Sequence, residues 1–231
     1  MSQLADLKAR GIITLNKKPR IVCRYREGSY GHIYYARRKD GRIFIIKQFK
    51  TNFDGELCDV NLNEINMNFE IKCSAVAPFL AFGHYQDNAV RPCETMIYGV
   101  MQHHGKNVSE LLALNYFRHD PAHSPEEIFR DFAAQLYGAI AALHAEGFTH
   151  NDISTDNIVF NRRTKKIKLI DCGFAKKIKW IEDKKADIKA AAVVVKLIFN
   201  HSRYNYIGWY HDLIAAGDAD ADELLAIIRA H

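Results

Sequence analysis

Disulfide chemistry has little to work with in this chain. Its five cysteines (Cys23, Cys58, Cys73, Cys93 and Cys172) are an odd, scattered set with no Cys-x-x-Cys pair. That argues against a disulfide framework or a zinc site and for a reducing compartment. Long apolar runs are missing as well. The longest, AAAVVVKLIF, is interrupted by Lys196, far short of the ~20 apolar residues of a membrane span. The opening stretch MSQLADLKARGIITLNKKPR holds no apolar block with a cleavage site, so no cleaved secretory signal is expected. Internal repeats and low-complexity linkers are absent. Charge imbalance is small, a formal net of +5. Lysine and arginine bunch in RRKDGR, NRRTKK and KKIKW, each beside an expected strand or turn, and no nucleic-acid-binding motif accompanies them. We read these bunches as solvated rims and expect no nucleic-acid partner. What is present is a globular composition, 48% hydrophobic and 26% charged over 231 residues, enough for one large domain or two small lobes.

The period of the apolar residues changes along the chain. RIVCRYREG, HIYYARR and RIFIIKQF are short, rich in Ile, Val, Tyr and Phe, and broken at GSYG and KDG, which predicts strands over 20–50. Leu62, Ile65, Phe69 and Cys73 recur three and four apart, the stripe of a helix over 60–74. FLAFGHY and TMIYGVMQ return to strand character. Ser124, Pro125 and Glu127 stand as N-cap, N1 and N3 of a capping box, and Ile128, Phe132, Leu136, Ile140 and Leu143 form the apolar face of the helix that follows. NIVF and IKLID, joined by NRRTKK, predict a hairpin. Residues 187–199 predict a helix apolar nearly all round and hence buried, and GWYHDLIAAG and ADELLAIIRAH predict two short helices. The plan is α+β and two-lobed: 1–103 rich in strands with one helix, 104–231 mostly helical with one hairpin.

Several polar residues stand where chemistry could use them. EGSYGHIYYA is a glycine-containing turn between strands; small residues there let backbone N–H groups approach phosphate oxygens, although a tight hairpin explains two glycines equally well. Lys47 lies on the next strand, in RIFIIKQF. Glu64 sits one residue from the apolar stripe and can lean inward, whereas Glu70 is about 240° further around the helix, so both cannot face one cleft. In HNDISTDN, Asp152 and Asn157 are five apart, and Asp171 ends a hydrophobic strand in LIDCG. Three oxygen-bearing side chains at neighbouring strand or loop ends suit magnesium, a hard cation. One aspartate can instead accept a proton from an attacking hydroxyl.

Taken together, GSYGHIY, FIIK, the helix glutamate, HNDISTDN and LIDCGFAKK resemble the protein kinase family in that family's order, from about residue 24 to 200. The resemblance implies an ATP- and Mg2+-dependent protein serine/threonine kinase acting on a protein substrate. Gly28, Ser29 and Gly31 would cover the ATP phosphates, with Ile33, Ile45, Met101, Gln102 and His104 about the adenine, Met101 as gatekeeper and YGVMQHH as hinge strand. Lys47 would contact the α- and β-phosphates and pair with Glu64, Asp152 would orient the acceptor hydroxyl, and Asn157 and Asp171 would hold Mg2+. Asp187 resembles the buried helix aspartate that braces the catalytic loop.

The chain departs from the family pattern in places. Arg26 replaces the first loop glycine, Ile45 a small residue, Ser154 a phosphate-contacting lysine, and Cys172 the phenylalanine of the magnesium-binding triplet. Asn151 replaces the arginine that an activation-loop phosphate satisfies, which predicts activity without loop phosphorylation. Thirteen residues separate Gly173 from Asp187, with no Ala-Pro-Glu-like segment. The chain therefore looks like a minimal kinase with a reduced C-terminal lobe, similar to bacterial type III effector or viral kinases. That likeness implies a cytoplasmic protein delivered into a host cell without a cleaved signal peptide, acting there on a chaperone or a ubiquitin-conjugating enzyme. Two alternatives stay open: an aminoglycoside- or choline-type small-molecule kinase, and a nucleotide-binding pseudokinase that docks a partner. The pair His103–His104 is read as a water-exposed hinge and not as a metal site.

Overall fold

The computed structural model describes residues 2–52, 55–87, 94–118, 124–202 and 219–230. The chain forms two compact units, residues 1–68 with 77–103, and 69–76 with 104–231. The expected division at 103 placed all earlier residues together; 69–76 instead gather with the second unit, where Ala75 accepts from Leu169 N at 2.9 Å and Val76 bridges to Leu169.

The first unit is built on a six-stranded sheet of order β1-β5-β6-β4-β3-β2. Its strands are β1 (Ile13–Asn16), β2 (Ile21–Glu27), β3 (Gly31–Arg37), β4 (Ile43–Phe49), β5 (Phe79–Asp87) and β6 (Glu94–Gln102). All neighbours run antiparallel except β1 and β5, which are parallel. Two helices accompany the sheet, α1 (Gln3–Ala9), capped by Ser2, and α2 (Asp59–Glu70). Leu7, Ile12, Ile13, Phe49, Leu57, Ile65, Phe82 and Ile97 form one apolar cluster, so α1, β1 and α2 share a core. Polar clasps reinforce it. Arg10 Nη2 donates to Asn66 Oδ1 at 3.0 Å, and the Gln3 amide exchanges hydrogen bonds with the Leu57 backbone.

Neither α1 nor β1 is expected from the sequence, for a physical reason. A seven-residue helix with one buried side chain and a four-residue strand are too short to show a period. The stripe on α2 also needs correction. The helix stops at Glu70, before Cys73, and its buried residues are Asn61, Glu64 and Ile65, while Phe69 is exposed. Two polar residues face inward because each finds a partner there, as described below.

In the second unit, β7 (Lys106–Asn107), β9 (Ile158–Asn161) and β10 (Lys166–Leu169) make one small sheet, and β8 (Phe148–Thr149) pairs with β11 (Lys176–Lys177). The helices are α3 (Val108–Ala113), α4 (Pro125–Ala145), α5 (Ile181–Ser202) and α6 (Ala221–Ala230). The capping box of α4 is formed: Ser124 Oγ accepts from Glu127 N at 3.2 Å and Glu127 Oε2 from Ser124 N at 3.0 Å. Ile128, Phe132, Leu136, Ile140 and Leu143 are all buried, and α5 and α6 pack on α4. The β9–β10 hairpin turns where Asn161 Oδ1 accepts from Arg163 N and Thr164 N. Helix α5 starts six residues before the expected position, at Ile181. It buries Ile188, Ala191, Val194, Val195 and Ile198 but exposes Val193 and Leu197, so it is one-sided and not enclosed all round. Lys185, Lys189 and Lys196 keep its other face in water. The segments GWYHDLIAAG and RYNYIGWYH lie outside the described residues.

Candidate catalytic site

In the first unit, Lys47 sits mid-strand on β4, opposite Ile33 of β3 and Gly99 of β6. Its Nζ meets Glu64 Oε2 of α2 at 2.6 Å, with side-chain exposures of 8% and 2%. Helix α2 is held at the depth this contact needs by Asn61, whose Nδ2 donates to the Tyr30 and Lys50 carbonyls at 2.9 Å each. Asn61 carried no recognisable signal in the sequence. Glu70, the other carboxylate weighed there, bonds Lys177 at 2.6 Å instead.

The glycine turn between β2 and β3 closes on itself. Gly28 N donates to Gly31 O at 2.9 Å, and Lys50 donates to the Gly28 carbonyl at 3.0 Å. A Cβ on Gly31 would sit 2.7 Å from the Gln48 carbonyl oxygen, so glycine there lets β3 approach β4; a Cβ on Gly28 would meet nothing nearer than 3.7 Å. Ser29 is exposed between them. Arg26 stands opposite Ile33 after a register shift in β2. Ile45 lies opposite Tyr35 and Met101 in the sheet, and Met101 is buried while Gln102 is exposed. His103 stacks edge-on with Tyr35 at 5.6 Å. His103 and His104 are half-buried, not fully exposed, and no group of three or more His, Cys, Asp or Glu suited to a metal occurs among the described residues. Gly105, with φ +129°, passes so close to the Phe160 carbonyl that any side chain would collide with it.

In the second unit the HNDISTDN loop hangs on one carboxylate. Asp187 of α5, fully buried, accepts from His150 N at 2.8 Å, Asn151 N at 2.7 Å and His144 Nε2 at 3.0 Å. An ionised carboxylate only accepts, so His144 carries its proton on Nε2. His150 Nε2 donates to the Ile170 carbonyl at 3.0 Å, which ties the loop to the end of β10. Its Nδ1 is buried without a hydrogen-bond partner among the described residues. Burial pushes the imidazole pKa down, against the opposing pull of Asp187, so the ring is a neutral anchor.

Asn151 takes the left-handed conformation, φ 58°, which asparagine tolerates better than most residues. Its Nδ2 donates to Thr149 Oγ1 at 2.8 Å and to the Phe174 carbonyl at 3.2 Å. Asp152 and Asn157 are brought together: Asn157 Nδ2 donates to Asp152 Oδ2 at 2.7 Å and to the Asp152 carbonyl at 3.0 Å. Burial raises the Asp152 pKa, partly countered by His150 and the Asn157 hydrogen bond, while nearby Asp171 adds to the rise. Asp171 is also left-handed, φ 65°, a conformation that costs a non-glycine residue energy and concentrates at functional sites. Cys172, directly after it, is buried. The donor chemistry fits a hard divalent cation. Asn157 spends its amide hydrogens on Asp152, so its Oδ1 is the atom that could join the carboxylates of Asp152 and Asp171 around such an ion.

Comparison with known proteins bears on the family of the chain. The family described as protein kinase domain matches residues 26–194. Cyclin-dependent kinase B2-1 of Arabidopsis thaliana is 25% identical over 153 residues, 65% of this chain and 47% of that protein. Cyclin-dependent kinase-like 1 of Caenorhabditis elegans is 28% identical over 158 residues, 68% of this chain and 41% of its own length. Serine/threonine-protein kinase SSN3 of Phaeosphaeria nodorum is 25% identical over 175 residues, 73% of this chain and 38% of its own. The chain thus spans less than half the length of the curated relatives it matches. With the domain match covering most of its residues, the chain belongs to the protein kinase family.

Proposed function

We propose that this chain is an ATP- and Mg2+-dependent protein kinase that transfers the γ-phosphoryl group to serine or threonine hydroxyls. The observation that carries the reading is the Lys47–Glu64 contact, 2.6 Å long and almost wholly out of water. A buried ion pair is a poor device for stability, since a packed apolar pair of similar volume does as well or better. Its retention makes sense where an ammonium must be held extended toward phosphate oxygens.

In this reading Lys47, fixed by Glu64, receives the α- and β-phosphates. Asp152 accepts the proton of the attacking hydroxyl, and Asn157 holds the Asp152 carboxylate in place while offering Oδ1, with Asp171, to Mg2+. Magnesium, when bound, neutralises charge on the phosphates. The rest of catalysis is positioning. Asn151 and Asp187 fix the loop through the protein's own hydrogen bonds, which supports activity without a phosphorylated activation segment. The finer reading, an effector-type kinase acting inside a host cell on a chaperone or a ubiquitin-conjugating enzyme, draws on the thirteen-residue interval between Gly173 and Asp187.

The test measures nucleotide affinity and phosphate incorporation from labelled ATP in parallel, with protein, amino sugar and amino alcohol acceptors. Asp152→Ala should leave ATP affinity near normal and lower transfer at least about a hundredfold, the low end of general acid–base contributions. Phosphatase treatment of the wild-type protein should leave transfer unchanged. Near-normal turnover of Asp152→Ala rejects the assignment. Nucleotide binding without transfer in the wild type marks a docking module instead. Incubating a eukaryotic extract with wild type or Asp171→Ala, followed by mass spectrometry, tests the host-protein reading.

A further inference from the structure

The short stretch between Cys172 and Asp187 carries two adjacent, large apolar side chains turned to solvent: Trp180, 72% exposed, and Ile181, 69% exposed. Single exposed hydrophobics are ordinary. A contiguous pair on a fixed backbone is not, and this pair is fixed. Asp183 Oδ2 accepts from Lys179 N at 2.9 Å and Trp180 N at 3.0 Å, while Lys176 bonds its other oxygen at 2.7 Å. The Lys176 hydrogen bond and the two backbone donors hold the Asp183 carboxyl well below its usual range, so the staple stays ionised and closed.

A second exposed apolar pair, Val193 at 59% and Leu197 at 48%, lies further along α5, beyond Lys185 and Lys189. Lys185, Lys189 and Lys196 are exposed on the same helix. Lys179, beside Trp180, and Lys184, Lys185 and Lys189 beyond it have no carboxylate partner among the described residues, unlike Lys176 and Lys177, which bond Asp183 and Glu70. Glu182 is the exposed acid on this stretch. Exposed lysines beside exposed apolar side chains, with Glu182 the opposing exposed acid, make a positively charged apolar strip that complements an acidic segment carrying aliphatic side chains. One helix face, about 10 Å across, matches the width of a single extended segment.

We propose that the outward face of α5, from Trp180 to Leu197, docks an acidic protein segment bearing aliphatic side chains, with Trp180 as the anchor and the unpaired lysines as the selective rim. Identifying that segment as part of the phosphorylated substrate rests on the kinase reading above; the docking itself does not.

Docking is measured without nucleotide, by fluorescence anisotropy of fluorescein-labelled peptides: one of Glu, Asp and Leu, one with lysine replacing the acids, and one with serine replacing leucine. The acidic, leucine-containing peptide should bind best. Trp180→Ala and the pair Lys185→Glu/Lys189→Glu should each weaken it at least tenfold, whereas Lys39→Glu/Arg163→Glu, the same charge change elsewhere, should not. Equal binding by wild type and the α5 variants, or no preference for the acidic peptide, overturns the proposal. So does loss of co-sedimentation with phosphatidylserine vesicles in the α5 variants while peptide binding persists. In transfer assays with an acidic peptide acceptor, the α5 variants should raise its KM about tenfold and leave kcat and the KM for ATP unchanged. Peptide docking by a wild-type protein that transfers no phosphate would sustain the surface and defeat only the kinase reading.

Discussion

Lys47 and Glu64 each lie where an isolated charge could not stay. Removing one partner leaves the other desolvated and unmatched, which costs about 3–5 kcal/mol for buried pairs, whereas replacing both with apolar residues costs much less. Glu64→Ala should therefore shift the urea midpoint further than Lys47→Met/Glu64→Leu does, although both abolish transfer. His150 supplies a second residue-level consequence. Its folded-state pKa lies below the ordinary value because of burial, so above about pH 6.5 the ring is neutral folded or unfolded and contributes nothing to pH dependence. As pH falls below that value the unfolded chain takes up the proton first, and stability is lost until the folded pKa is reached. Unfolding titrations from pH 7.5 down to 5.5 should show a stability slope for wild type that His150→Gln reduces.

Within elements, the glycine turn separates packing from ligand contact. A Cβ at Gly31 would press on the β4 backbone at Gln48, while one at Gly28 would meet nothing closer than ordinary contact. Gly31→Ala should cost about 1–3 kcal/mol, as overpacking does, and Gly28→Ala should fall within about 0.5 kcal/mol of wild type; chemical denaturation reads both. The contrast also shows what a sequence discloses. Strands β2 to β6, the capping box of α4 and the β9–β10 hairpin were legible because alternation and capping are local signals. The depth of Glu64 was legible only as a possibility, because Asn61, which sets the height of α2, reaches backbone carbonyls at Tyr30 and Lys50 that no periodicity marks. The same holds for His144. Its bond to Asp187 spans 43 positions and is a product of tertiary folding alone. Helix α5 was read as enclosed because Ala and Val fill it, yet the lysines at 185, 189 and 196 already mark a wet side.

Across the whole molecule, the motif order carried the family identification, and the thirteen-residue interval after Gly173 carried the expectation of a shortened substrate-positioning segment. What lay beyond sequence reasoning was the opening of the chain. Residues ahead of the family match contribute Leu7, Ile12 and Ile13 to the core that holds Ile65, and Arg10 bonds Asn66. Leu7→Ala should open a cavity worth about 2–5 kcal/mol and speed hydrogen exchange at the α2 amides of Asp59–Glu70. A matched truncation on α6, Leu225→Ala, should leave those amides unchanged. The prop that steadies the glutamate-bearing helix is thus synthesised with it, one per molecule and at no delay.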